Sequence, residues 1–242
     1  KAIKNDIAIY AIHTNLDNIK AGVSSKIADK LGLKNQQILS PKRDLLRKLE
    51  VYVPKESAEE VQNTLFASGA GSIGDYKNCS FQSFGVGTFL PSEDASPKVG
   101  EKGKQERVKE VKIEVIFPKN IEKRIISEMR KVHPYEEVAF QIYILDNVFQ
   151  EVGAGIIGEL ANEIVSSEFL EFVKNTMKTD CVRHTALVKN KIKKVAVCGG
   201  SGSFLLNNAK LVGADIFITS DFKYHEFFTA ENDIIIADIG HY

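Results

Sequence analysis

Three histidines, His13, His225 and His241, each follow an apolar run that reads as a strand. His13 comes after residues 6–12 (DIAIYAI), with Asp17 four positions on. His225 stands behind residues 215–219 (DIFIT), in company with Ser220, Asp221, Lys223 and Glu226, and His241 follows residues 233–239 (DIIIADI). In an open parallel sheet, ligands bind beyond the carboxyl ends of the strands. If these strands run parallel, three imidazoles and the carboxylates of Asp17 and Asp221 share one edge. Imidazole and carboxylate without thiolate suit a divalent ion such as zinc, iron or manganese. An Asp that bridges is the usual way to hold two such ions close together. Taken singly, each group also has a plainer role, Asp17 as a helix cap and His13 as a partner for a backbone carbonyl. Their convergence is what points to metal chemistry.

Other chemistry-bearing residues have simpler readings. Gly199-Gly200-Ser201-Gly202 could cradle a phosphate between a strand and a helix. It lacks the Lys and spacing of a P-loop and does not fit GxGxxG, so it reads as a tight turn. Cys198 just before it reads as a small core residue rather than a nucleophile. His133-Pro134-Tyr135-Glu136-Glu137 groups a His with two carboxylates, and Pro134 makes it a structured turn at the end of a helix. Residues 92–107 read as a solvated loop, and His184 has no visible partner.

The elements that would position these groups fall into two sets. Residues 194–198 (KVAVC), 215–219 and 233–239 are short apolar runs, separated by helical spacing over 203–212 and 224–230. Strand and helix alternating with brief connections predicts a parallel sheet with right-handed crossovers. Residues 6–12 add a strand and 24–31 a helix. The middle differs: strands at 49–53, 108–117 and 138–145, helices starting at Ser57 and Asn120 as caps, and a Gly-rich hairpin candidate at 79–81 and 85–89. The order β-α-β-β-α-β matches a ferredoxin-like split unit. The expected organisation is therefore an α/β outer domain with a parallel sheet (residues 1–48 and 148–242), interrupted by an α+β insert (residues 49–147).

The chain has 242 residues, 43% hydrophobic and 26% charged, with 32 basic and 32 acidic side chains. That composition excludes a disordered chain. Zero net charge removes the global field that collects nucleic acid, and basic–aromatic interleaving is absent. No apolar run is long enough to span a bilayer, and no signal peptide is visible. Three scattered cysteines point to a reducing compartment, and so to a cytoplasmic location. The chain opens on Lys1 and stops at Tyr242 directly after an apolar run, which reads as a longer chain with its ends missing.

Residues 11–17 (AIHTNLD), 195–202 (VAVCGGSG), 218–228 (ITSDFKYHEFF) and 238–242 (DIGHY) resemble the NGG-one-interacting-factor-three-like family, many of whose members go by the name GTP cyclohydrolase 1 type 2 homologue. Residues 76–81 (YKNCSF), 85–91 (GVGTFLP) and 133–140 (HPYEEVAF) resemble the PII-like or CutA-like domain inserted in its longer bacterial members. The resemblance implies a toroidal homohexamer, a trimer of dimers, with a dinuclear metal site facing the central cavity. It implies ligands from an upstream His-His pair, the Asp of an HTxLD-like motif, and a His and Glu four positions apart. Asp17 matches the Asp and His241 the His, while the pair and the Glu have no counterpart in these residues. The expectation is a metal-dependent hydrolase on a nucleotide-like or phosphorylated small molecule, with His13 or His225 moving a proton. The alternative is a hexameric regulatory or scaffold protein with a structural metal and a sensing insert.

Overall fold

The structure, a computed structural model, describes residues 1–12, 14–97 and 99–241. It is a mixed α/β protein with two sheets, and the chain divides into two compact units, Lys1–Lys42 with Phe149–Tyr242, and Arg43–Val148. The first unit begins with α1 (Thr14–Asp17), α2 (Val23–Lys30) and β1 (Lys34–Lys42). The second contains β2 (Leu46–Pro54), α3 (Ala58–Ala67), β3 (Phe81–Phe89), β4 (Glu106–Pro118), α4 (Glu122–Val132) and β5 (Phe140–Leu145). The first then resumes with β6 (Phe149–Val165), α5 (Ser166–Met177), β7 (Arg183–His184), β8 (Lys191–Ser201), α6 (Leu206–Leu211), β9 (Ile216–Ser220) and β10 (Ile235–Asp238).

The six-stranded sheet has the order β1-β6-β8-β9-β10-β7. Only β8, β9 and β10 are mutually parallel; β1, β6 and β7 join antiparallel, so the parallel outer sheet expected from the sequence is in fact mixed. The central strands are buried on both faces, which is why they read as unbroken apolar runs. Alternate residues still divide between two layers. Val195, Val197, Ile216, Ile218, Ile235 and Ala237 pack with α2 and α5. Ala196, Phe217 and Ile236 pack with α6 and with the 3-10 turn Tyr224–Ala230. Each fully buried Val, Ile or Phe among these contributes about 1.5–3 kcal/mol of apolar transfer.

The strand expected over residues 6–12 does not form. Ile7, Ile9 and Tyr10 are exposed, and among the described residues no strand pairs with this segment, so its backbone has no ladder to join. Conversely, β6 is a 17-residue strand with little apolar alternation. Its glycines are the reason. A Cβ on Gly153 would lie 2.3 Å from the Ser40 carbonyl oxygen, and one on Gly155, at φ +67, would lie 2.9 Å from Leu205.

In the second unit the strand order is β3-β4-β2-β5, all antiparallel. Helices α3 and α4 cover one face through Val61, Leu65, Ile125 and Met129. The hairpin expected within residues 79–89 is instead the single strand β3, laid against β4. Ser57 and Asn120 do not cap: the helices are entered through 3-10 turns, and neither N-cap position makes a side-chain hydrogen bond.

Candidate functional site

Parallel register brings the carboxyl ends of β8, β9 and β10 level, with Ser201 opposite Ser220 and Thr219 opposite Asp238. Beyond this edge lies a cavity of about 650 Å³ lined by Asp17, Cys198, Gly200, Lys178, Ser220 and His241, among others. It lies wholly within the first unit.

Asp17 ends α1, a single helical turn closed by the Asn18 side-chain amide donating to the Thr14 carbonyl at 2.8 Å. The next residues pair with the start of β6, where the Gly153 N–H donates to the Asn18 carbonyl at 3.0 Å. Gly22 is obligatory in this hairpin-like passage, because a Cβ there would lie 1.7 Å from the Leu16 carbonyl oxygen. Asp17 is thus fixed, half-buried, at the cavity wall.

His241 arrives from the far end of β10. Its Nδ1 lies 2.6 Å from Asp221 Oδ2. Two backbone amides beside these residues share one buried acceptor: Asp238 takes the Gly240 N–H at 2.9 Å on Oδ1 and the Phe222 N–H at 3.0 Å on Oδ2, where Arg183 also donates. Asp238 was not singled out in the sequence. The available signal was an acid closing a fully apolar strand, since a buried carboxylate must be bonded.

His13 lies outside the described residues. His225 is exposed on the 3-10 turn Tyr224–Ala230 and does not line the cavity. That turn is anchored by Glu226, which accepts the Lys223 N–H at 2.8 Å and the Ser203 hydroxyl at 3.1 Å. The Lys223 N–H bond holds the Glu226 carboxyl below its ordinary value. The Gly199–Gly202 stretch continues β8 and then turns: a Cβ on Gly202 would lie 2.4 Å from Thr219 Oγ1 and 2.7 Å from Cys198. His133 is buried, its Nε2 3.0 Å from the Tyr52 carbonyl and its Nδ1 accepting the Tyr135 N–H at 3.1 Å, so both nitrogens are engaged.

Asp17 and His241 therefore share a cavity. Among the described residues no three His, Cys, Asp or Glu side chains come together as a metal cage. The donor chemistry nevertheless fits a divalent ion. A carboxylate and an imidazole face the space, and the buried Ser220 hydroxyl that lines it has no hydrogen-bond partner. Cys198 supplies no thiolate, because burial, then the charge of Asp17, pushes its thiol up to about 11.

A mixed α/β unit with a carboxylate–imidazole cavity at its strand ends, interrupted by a second α/β unit, defines the class. Residues 1–242 match the family described as Duf34/NIF3 (NGG1p interacting factor 3), and the chain belongs to that family. A Bacillus subtilis (strain 168) relative named GTP cyclohydrolase 1 type 2 homolog is 44% identical over 244 residues, covering 100% of this chain and 65% of its own. A relative of the same name from Halalkalibacterium halodurans is 41% identical over 243 residues, again 100% of this chain and 65% of its own. The crystal structure of a Bacillus cereus protein related to NIF3 superposes with a TM-score of 0.85 at 43% identity, covering 99% of this chain and 64% of that one. The chain thus spans about 65% of the length of the curated relatives it matches.

Proposed function

We propose that the protein binds divalent metal at the Asp17–His241 cavity and acts as a metal-dependent hydrolase on a nucleotide-like or other phosphorylated small molecule. The observation that carries this reading is the arrival of Asp17 and His241, from opposite ends of the unit's chain, at one cavity beyond the parallel strand ends. Asp17 would hold the metal through carboxylate oxygen and His241 through imidazole nitrogen. A metal bound there supplies hydroxide near neutral pH and a Lewis acid for a phosphoryl or carbonyl oxygen. Among the described residues that line the cavity, Lys178 is the cationic side chain, which suits an anionic substrate. The name borne by the relatives favours cyclohydrolase-type chemistry. In the whole protein the site would be dinuclear, with zinc, iron or manganese as candidate ions, and the location cytoplasmic.

One observation favours a second reading. The Arg43–Val148 unit builds its own core and its own cavity, about 310 Å³, lined by Glu110 and Tyr135 among others. Its strand order supports a ferredoxin-like, PII/CutA-like insert. In this reading the protein is a homohexameric scaffold whose insert senses a small effector and whose metal is structural.

Turnover separates the two. The metal-loaded full-length protein is assayed against nucleotides and phosphoesters beside Asp17→Ala. Turnover lost in the variant is the expected result. Stoichiometric metal with no turnover on any substrate overturns the hydrolase reading in favour of the scaffold.

A further inference from the structure

We propose that Asp221 is the positioning residue for His241: its carboxylate keeps the imidazole proton on Nδ1 and so presents Nε2 to the cavity as a lone-pair donor. This rests on the reading of the cavity as a metal site and adds to it a residue that is not itself a ligand. The contact is short, 2.6 Å from His241 Nδ1 to Asp221 Oδ2. A carboxylate can only accept, so in the neutral ring Nδ1 carries the proton and Nε2 is left free. The Nε2 edge of the ring faces Gly200, where a Cβ would lie 3.7 Å from both Nε2 and Cε1. Gly200 and His241 both line the cavity.

Both side chains are largely exposed, so the contact resembles a surface ion pair. The backbone argues otherwise. Asp221 takes φ +60, a left-handed conformation unusual for a residue with a side chain, immediately after β9. The amide next to it, Phe222 N–H, and the amide next to His241, Gly240 N–H, are both tied to the buried Asp238. The two side chains thus leave neighbouring parallel strands from backbone held by one common anchor. This is the arrangement in which a ligating histidine donates its second N–H to a carboxylate, and loss of that carboxylate typically weakens metal binding roughly 10–100-fold.

The test uses the full-length ¹⁵N-labelled protein, Asp221→Gly and Asp221→Asn, with His241→Ala to assign the ring signals. Glycine and asparagine both tolerate the left-handed backbone, so these variants keep the loop. Ring tautomers are read without metal at a pH where the imidazole is neutral, and Zn²⁺ affinity is read by calorimetry. The expected result is Nδ1–H in the parent, a shift toward Nε2–H in Asp221→Gly, and Zn²⁺ affinity lowered roughly 10–100-fold in both variants with unchanged stoichiometry at saturation. An unchanged tautomer in Asp221→Gly overturns the inference, as does an affinity within about twofold of a Zn²⁺-binding parent. A parent that binds no Zn²⁺ but shows the tautomer shift refutes the metal reading and leaves the positioning role intact. A Zn²⁺-binding parent with no tautomer shift does the reverse.

Discussion

His133 uses both ring nitrogens inside the insert, one toward the Tyr52 carbonyl and one toward the Tyr135 N–H. That arrangement needs a neutral ring, and burial pushes its pKa below the ordinary 6.5. The unfolded chain therefore takes up a proton as pH falls through about 6.5, while the folded chain does not, so stability is lost on acidification. Urea midpoints of the parent should fall from about pH 7 to about pH 5 more steeply than those of His133→Gln. Equal slopes would contradict the assignment. The HPYEE group reads as a turn from Pro134 alone, and its histidine is where that reading put it. His225 reads as a site residue from its position just past a strand, yet chain position does not say which way a side chain turns. The Glu226 anchor sets that direction, and the His225 side chain ends up on the surface.

Three parallel strands, β8, β9 and β10, were legible because both their faces are covered and the apolar runs are unbroken. β6 and β1 were not. β6 carries glycines forced by close approach to Ser40 and Leu205, and β1 contains Pro41, which a strand at the sheet edge accepts. Missing them made a mixed sheet look parallel. Glycine also decides the turn under the cavity. Gly202 leaves no room for a methyl group, since a Cβ would meet Thr219 Oγ1 at 2.4 Å and Cys198 Cβ at 2.7 Å. Gly202→Ala should cost about 1–3 kcal/mol, read as a lower urea midpoint, because the buried Thr219 and Cys198 side chains must give way. An unchanged midpoint would show that this edge yields freely.

At the scale of the whole molecule, two units with separate cores lie on one chain. The formal net charge is zero, and among the described residues no helix is long and apolar enough to cross a membrane. Asp17 and His241, the expected metal ligands, are brought to one cavity, and His225, expected to move a proton, does not line it. Local patterns could place Asp17 and His241 each at the end of an element. Their meeting across more than two hundred residues of sequence is a property of the tertiary fold: the strand pattern brought Asp17 to this edge through a strand over residues 6–12 that does not form, and the family resemblance paired it with His241 as a ligand. The direct test is metal stoichiometry, by elemental analysis of the purified full-length protein beside Asp17→Ala and His241→Ala. About two divalent ions per chain are expected in the parent, with loss of stoichiometric metal in both variants. A parent without stoichiometric metal, or variants that retain it in full, would contradict the assignment of this cavity as a metal site.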